Sequence, residues 1–231
     1  AVEVVIPRAF LLWLLLVAEA ASAADPKVRL YSRSRRPGEA VLVVVTGHDP
    51  ARPPSGTFGG APLYFWPASK GTYLSIAGID LDVSTGTSRF ELKLRRPQGP
   101  ERPWREAVKV RPKTYTTRKL AVAPQYVEPG PELEARADEE SARLKALFAK
   151  ATEGSPMDGR FRMPIKGAKT TSRFGERSEF NGQARSPHSG ADIKASTGTP
   201  VLAPQAGTVV LVEDLYFPGK TLLLDHGAGV Y

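Results

Sequence analysis

Between residues 27 and 125 no apolar run lasts longer than about six residues before glycine, proline or a polar residue interrupts it, and this constrains the fold more than any other feature. Runs that short, separated by frequent turn residues, suit β-strands of ordinary length, and no convincing helical pattern accompanies them. Val28 and Leu30 alternate with Lys27, Arg29 and Tyr31, and Ala40 to Val45 is continuously apolar and rich in β-branched residues. Phe90, Leu92 and Leu94 alternate with Glu91, Lys93 and Arg95. Leu63 to Trp66, Tyr73 to Ile76, Ile79 to Val83, Val108 with Val110, and Leu120 to Ala123 add further short strands. Pro37-Gly38 marks a turn, while His48 to Pro62 and the Pro-rich connection from Arg96 to Arg105 read as loops.

About seven short strands with frequent turns predict an immunoglobulin-like β-sandwich over residues 24–126. His48, at a loop start beside Asp49, reads as a solvated histidine, and Trp66 and Trp104 read as packing residues. The pattern changes at Pro131. From there to Lys150, Leu133, Ala137, Leu144, Leu147 and Phe148 recur near helical spacing, Glu139 precedes Arg143 by one turn, and Gly154 with Pro156 closes the segment. Residues 127–158 are therefore read as a linking helix whose mixed charge suits a solvated face. Residues 159–231 turn β-rich again, with strands expected at Thr199 to Ala203, Thr208 to Glu213 and Lys220 to Asp225. Asn181-Gly182 is a strong turn dipeptide, so Glu176 to Pro187 reads as a loop.

The first residues stand apart. Arg8 precedes the apolar run Ala9 to Ala18, and Ala21-Ser22-Ala23 supplies a small-x-small site, so residues 1–23 read as a secretory signal peptide with the mature chain beginning near Ala24. Ten apolar residues ended by Glu19 fall short of the roughly 20 that span a bilayer, which argues against a membrane anchor. Export to the periplasm, cell envelope or extracellular space follows. The net charge is +8, and losing Arg8, Glu3 and Glu19 with the peptide raises it to +9. No dense basic run interleaved with aromatics accompanies that surplus, so a nucleic-acid partner is not expected. With no cysteine in the chain, any metal must rest on histidine and carboxylate ligands.

Such a pair stands at Pro187-His188-Ser189-Gly190-Ala191-Asp192-Ile193. In an extended strand His188 and Asp192 would lie about 13 Å apart, too far to share one metal with bonds near 2 Å. Pro187 and Gly190 disfavour a helix, so a turn through Gly190 is expected to bring the two side chains together.

Around this pair stand Thr171-Ser172-Arg173-Phe174-Gly175 and Phe180-Asn181-Gly182 upstream. Downstream come Gly198-Thr199-Pro200-Val201-Leu202-Ala203-Pro204, Gly207-Thr208-Val209-Val210 and Asp225-His226-Gly227-Ala228-Gly229-Val230-Tyr231. From about residue 161 to 231 this ordered set resembles the lysostaphin-type (LytM-like) zinc metallopeptidase family. The resemblance implies that His188 and Asp192 are zinc ligands on an antiparallel sheet and that His226 is a hydrogen-bonded structural residue. It also implies a third ligand and the general base from an H-x-H motif expected beyond Tyr231, so the metallopeptidase domain is read as partial. The implied activity is a secreted zinc metalloendopeptidase that cuts peptides of bacterial cell-wall peptidoglycan with a metal-activated water.

The alternative is a non-catalytic LytM-like domain that binds peptidoglycan or activates a wall amidase. Such relatives usually lose metal ligands, and the presence of both His188 and Asp192 favours the enzyme. An adhesion or carbohydrate-binding module would account for the strands of the first half but not for the residues around His188.

Overall fold

The computed structural model describes residues 25–123, 130–150, 152, 160–171 and 174–231. The expected signal peptide, Gly154, Pro156, Ser172 and Arg173 lie outside the described residues. The fold is mainly β, with one helix among the described residues. The N-terminal half runs through β1 (Lys27–Tyr31), β2 (Ala40–Thr46), β3 (Ser55–Phe58), β4 (Ala61–Pro62), β5 (Trp66–Ser69), β6 (Thr72–Gly78), β7 (Gly86–Arg95), β8 (Glu101–Val110) and β9 (Thr117–Leu120). The C-terminal half contributes α1 (Pro131–Phe148), β10 (Arg177–Phe180), β11 (Gln183–Ala184), β12 (Thr208–Leu215) and β13 (Gly219–Asp225).

Two four-stranded antiparallel sheets, ordered β1-β2-β6-β5 and β4-β3-β7-β8, enclose the core. Strand alternation sends every second side chain inward. Val41, Val43 and Val45 of β2 are completely buried, and Tyr73 and Ala77 of β6 join them. From the other sheet come Phe90, Leu92 and Leu94 of β7 with Val108 and Val110 of β8. Phe58 stacks on Phe90 with ring centroids 4.1 Å apart. Each such side chain contributes about 1.5–3 kcal/mol on burial, which makes this cluster the main source of stability in the N-terminal half.

Several local expectations are corrected. The stretch His48 to Pro62 is not all loop, because β3 and β4 form a hairpin turned by Gly59 and Gly60, both at positive φ. Pro62 is tolerated in β4 and Pro103 in β8 because those strands are the two edges of their sheet. The Pro-rich connection thus carries the first half of β8. Ile79 to Val83 forms no strand: Ile79 is buried where β6 ends, bonded to Gly38 and Glu39, and Asp80 turns the chain outward. Of Leu63 to Trp66 only Trp66 is in a strand, and Thr199 to Ala203 is irregular. His48 is 2% exposed and packs edge-on against Tyr73, so it is a buried histidine and not a solvated one. Tyr73, 25 residues further along the chain, covers it, and the polar residues beside His48 in sequence do not announce that contact.

β9 leaves both sheets. It pairs in parallel with β10, from Arg177 opposite Thr117 to Phe180 opposite Leu120, and so becomes part of the sheet β11-β10-β9. Asn181 and Gly182, both at positive φ, turn β10 into β11 as the dipeptide predicts, although the flanks are short strands and not loop.

The helix begins with Pro131 in its first turn, has Glu132 and Glu134 near its N-terminus and Lys145 near its C-terminus, and has no buried residue. It is nonetheless more than a solvated spacer. Arg136 donates to the Asp214 carbonyl at 2.9 Å, Arg143 pairs with Glu213, and Glu140 accepts the Tyr216 amide at 2.8 Å. The helix therefore lies along the β12–β13 hairpin through polar bonds. Among the described residues no helix is long and apolar enough to cross a membrane.

Candidate metal centre

The chain bends at Gly190, as expected, and brings His188 Nε2 to 3.4 Å from Asp192 Oδ1. Two donors bound about 2.0–2.1 Å from one tetrahedral metal stand about 3.3–3.4 Å from each other, so this separation fits a shared zinc. The two side chains are 37% and 66% exposed, which leaves the pair open to water and substrate. Among the described residues no group of three or more His, Cys, Asp or Glu side chains comes together. The pair therefore offers two donors, one nitrogen and one oxygen.

Backbone bonds fix both residues from one neighbouring segment. His188 donates its amide to the Glu176 carbonyl at 2.9 Å and accepts from the Gly175 amide at 2.7 Å. The Asp192 carbonyl accepts the Thr171 amide at 2.8 Å, and Thr170 bridges Ile193. Thr171 and Gly175 thus hold the two ends of the His-x-x-x-Asp turn. The sequence marks this segment only by its position in the motif set; the pairing itself appears in the structure.

His226 is not part of the pair. It is 3% exposed, and its Nδ1 lies 2.6 Å from the Ala206 carbonyl. A carbonyl only accepts, so Nδ1 carries the proton and donates. Phe161 packs edge-on against the ring at 5.3 Å. Asp225 beside it accepts from the Gly227 amide at 2.7 Å and from the Thr152 hydroxyl. Both residues tie the end of β13 to its surroundings, in agreement with a structural role.

A second concavity, of about 580 Å³, lies where Pro50, Pro54, Leu63, Tyr64 and Tyr73 of the N-terminal half face Thr152 and Ala228. Burial raises the Tyr73 phenol above its usual range, with Asp49 adding to the effect, and its hydroxyl donates to the carbonyls of Asp49 and Pro50. That hydroxyl is committed to the protein's own backbone.

The site is thus a histidine and a carboxylate paired on an open turn of a mainly β fold. Residues 186–231 match the model of Peptidase family M23. A crystal structure of a candidate peptidase M23 from Pseudomonas aeruginosa is similar over 85% of this chain and 71% of its own, with 26% identity and a TM-score of 0.59. No curated protein matches the chain. His188 and Asp192 both fall within the residues that match the M23 model.

Proposed function

We propose that the chain is a zinc metalloendopeptidase, exported from the cell, that hydrolyses peptide bonds in cell-wall peptidoglycan. The observation that carries this reading is the 3.4 Å approach of His188 Nε2 and Asp192 Oδ1 on an exposed turn inside the stretch that matches the M23 model. His188 and Asp192 would hold the ion through those two atoms. Zinc bound there would acidify a water and stabilise charge on the attacked carbonyl oxygen. The chain's own part is to keep the two donors aligned, through Thr171, Gly175 and Glu176, while leaving one side open for a peptide. The three histidines of the sequence form no H-x-H, so the third ligand and base of the family expectation are not among these residues.

The test is zinc stoichiometry and clearing of purified walls, measured on the chain and on a form carrying an H-x-H segment after Tyr231. The second form should bind zinc tightly and cut wall peptides, the first weakly and negligibly, and His188→Ala should abolish both properties of the second. Full zinc and full lysis with His188→Ala would remove the metal assignment. The presence of only two converging donors among the described residues also suits a peptidoglycan-binding or amidase-activating module. Wall binding without hydrolysis by the zinc-loaded form would favour that reading.

A further inference from the structure

We propose that Tyr115, on the segment that leaves β8, is a positioning residue for the His188 turn. The inference rests on the metal reading above for its functional meaning, but its structural content stands on contacts alone.

Tyr115 fills the space between two glycines. Its hydroxyl donates to the carbonyl of buried Pro37 at 2.7 Å, on the turn between β1 and β2. A Cβ built on Gly38 would come within 2.6 Å of that hydroxyl and of Phe174 Cε1. On the other side the ring lies against Gly175, where a Cβ would fall 2.5 Å from both Cδ1 and Cζ. Gly175 also has φ +86, so it must lack a side chain for both conformation and space.

From Gly175 the contact passes directly to the candidate ligand. The Gly175 amide donates to the His188 carbonyl, the His188 amide donates to Glu176, and the Arg177 amide donates to Thr116, next to Tyr115, at 2.9 Å. Tyr115 and Thr116 thus grip one edge of the strip 175–177 while His188 is bonded to the other. Arg177 adds a second tie to the N-terminal half through Asp82 at 3.0 Å. With the ring gone, Gly175, the residue whose amide fixes the His188 carbonyl, would lose the surface it rests on. The Nε2–Oδ1 separation that suits a metal would then be sampled among others. Outer contacts that orient a metal ligand typically affect metal affinity by about 10–100-fold.

The experiment uses the full chain as wild type, Tyr115→Ala, Tyr115→Phe and Gly175→Ala. Two quantities are measured: amide hydrogen exchange in metal-free protein, and Zn2+ affinity by competition with a chromophoric chelator. Tyr115→Ala should speed exchange of the Gly175 and His188 amides at least about tenfold and weaken Zn2+ binding about tenfold, with the Val43 and Val45 amides of the core unchanged. Tyr115→Phe keeps the ring on Gly175 and should stay within about threefold of wild type, a rescue that general destabilisation would not give. If Tyr115→Ala also exposes the core amides, the contrast with Tyr115→Phe at the Gly175 and His188 amides, taken relative to the core amides, decides; Gly175→Ala, strained by its φ of +86 as well as by the ring, serves to show that loosening residue 175 reaches His188. Unchanged exchange at His188 in Tyr115→Ala overturns the proposal whatever the zinc result and whatever Gly175→Ala does. Faster exchange together with no Zn2+ binding by a form that carries an H-x-H segment after Tyr231 upholds the positioning contact and instead sinks the metal reading.

Discussion

The Asn181 side chain brackets the backbone of Val122: Oδ1 accepts the Val122 amide at 3.0 Å and Nδ2 donates to the Val122 carbonyl at 2.8 Å. One amide side chain in the β10–β11 turn thereby extends the pairing of β9 past its last strand residue, and the Asn181 backbone amide adds a bond to the Leu120 carbonyl at 3.1 Å. The N-terminal half is stitched at this point to β10 and β11, the strands that precede the His188 turn.

Replacing Asn181 by glycine keeps the left-handed backbone at φ 49 but removes both side-chain bonds. Asn181→Gly should lower the local stability of residues 117–122 by about 1–2 kcal/mol, two exposed hydrogen bonds being worth somewhat less than two buried ones. Amide exchange at Val122 reads this out, and exchange at Val43 should not move. An unchanged Val122 amide would show that β9 is held by its strand pairing alone.

How much of this could be read from the residues depends on the range of the interaction involved. His188 and Asp192 are visible because metal chemistry needs particular side chains at a fixed local spacing, and Asn181-Gly182 because a tight hairpin needs positive φ. The continuous apolar run of β2 and the alternation of β7 are equally local. Tyr115 against Gly175 joins distant parts of the chain by shape, which leaves no periodicity, and a parallel pair such as β9 with β10 has no turn dipeptide to announce it. The burial of His48 is equally hidden, since it is decided by Tyr73 of β6 and Gly71 of the turn before that strand.

Gly207 tests the structural role of His226. A Cβ there would sit 2.8 Å from both the Asp225 carbonyl oxygen and His226 Nδ1, and backbone cannot give way as a flexible side chain can. Gly207→Ala should cost about 1–3 kcal/mol, the usual range for forcing an extra carbon into a packed site. Thermal melting of the variant against wild type measures it. A neutral result would mean that the contact between the Ala206 carbonyl and His226 is loose enough to reposition.

Asp192→Asn separates charge from shape at the candidate centre. The oxygen that faces His188 at 3.4 Å is kept, but a neutral amide is a much poorer donor to a divalent ion than a carboxylate. Zn2+ binding should weaken by at least about tenfold, while the melting temperature of the metal-free protein stays within a degree or so, because the side chain is exposed and its exposed pairing with His188 is worth little. A chelator titration alongside a melting curve gives both numbers. Equal Zn2+ affinity for the two proteins would mean that Asp192 is not a ligand.

Glu39 carries the pH dependence of the turn that receives Tyr115. Its side chain is 8% exposed; it accepts from the Ser34 hydroxyl at 2.7 Å, the Ser34 amide at 2.9 Å and Arg33 at 3.1 Å. The Ser34 hydroxyl chiefly, helped by Arg33 and the Ser34 amide, holds the carboxyl at about 2 against an ordinary value of 4.5, although burial pushes the other way. A carboxyl whose folded pKa lies below its unfolded one stabilises the fold above the unfolded value and loses that contribution as pH falls toward the folded one. The Glu39 contribution is thus complete at pH 7, declines from about pH 4.5, and is mostly lost by about pH 2, vanishing below it. Glu39→Gln, which keeps the shape and removes the charge, should be less stable than wild type by about 1–2 kcal/mol at pH 7, the difference expected when a charge-assisted bond becomes a neutral one. Denaturant unfolding of both proteins at pH 7, 3.5 and 2 checks the sign as well as the size. The gap should narrow at the middle pH and mostly close at the lowest, and a gap that stays constant across that range would show that the ionised carboxylate is not what holds the 33–39 turn.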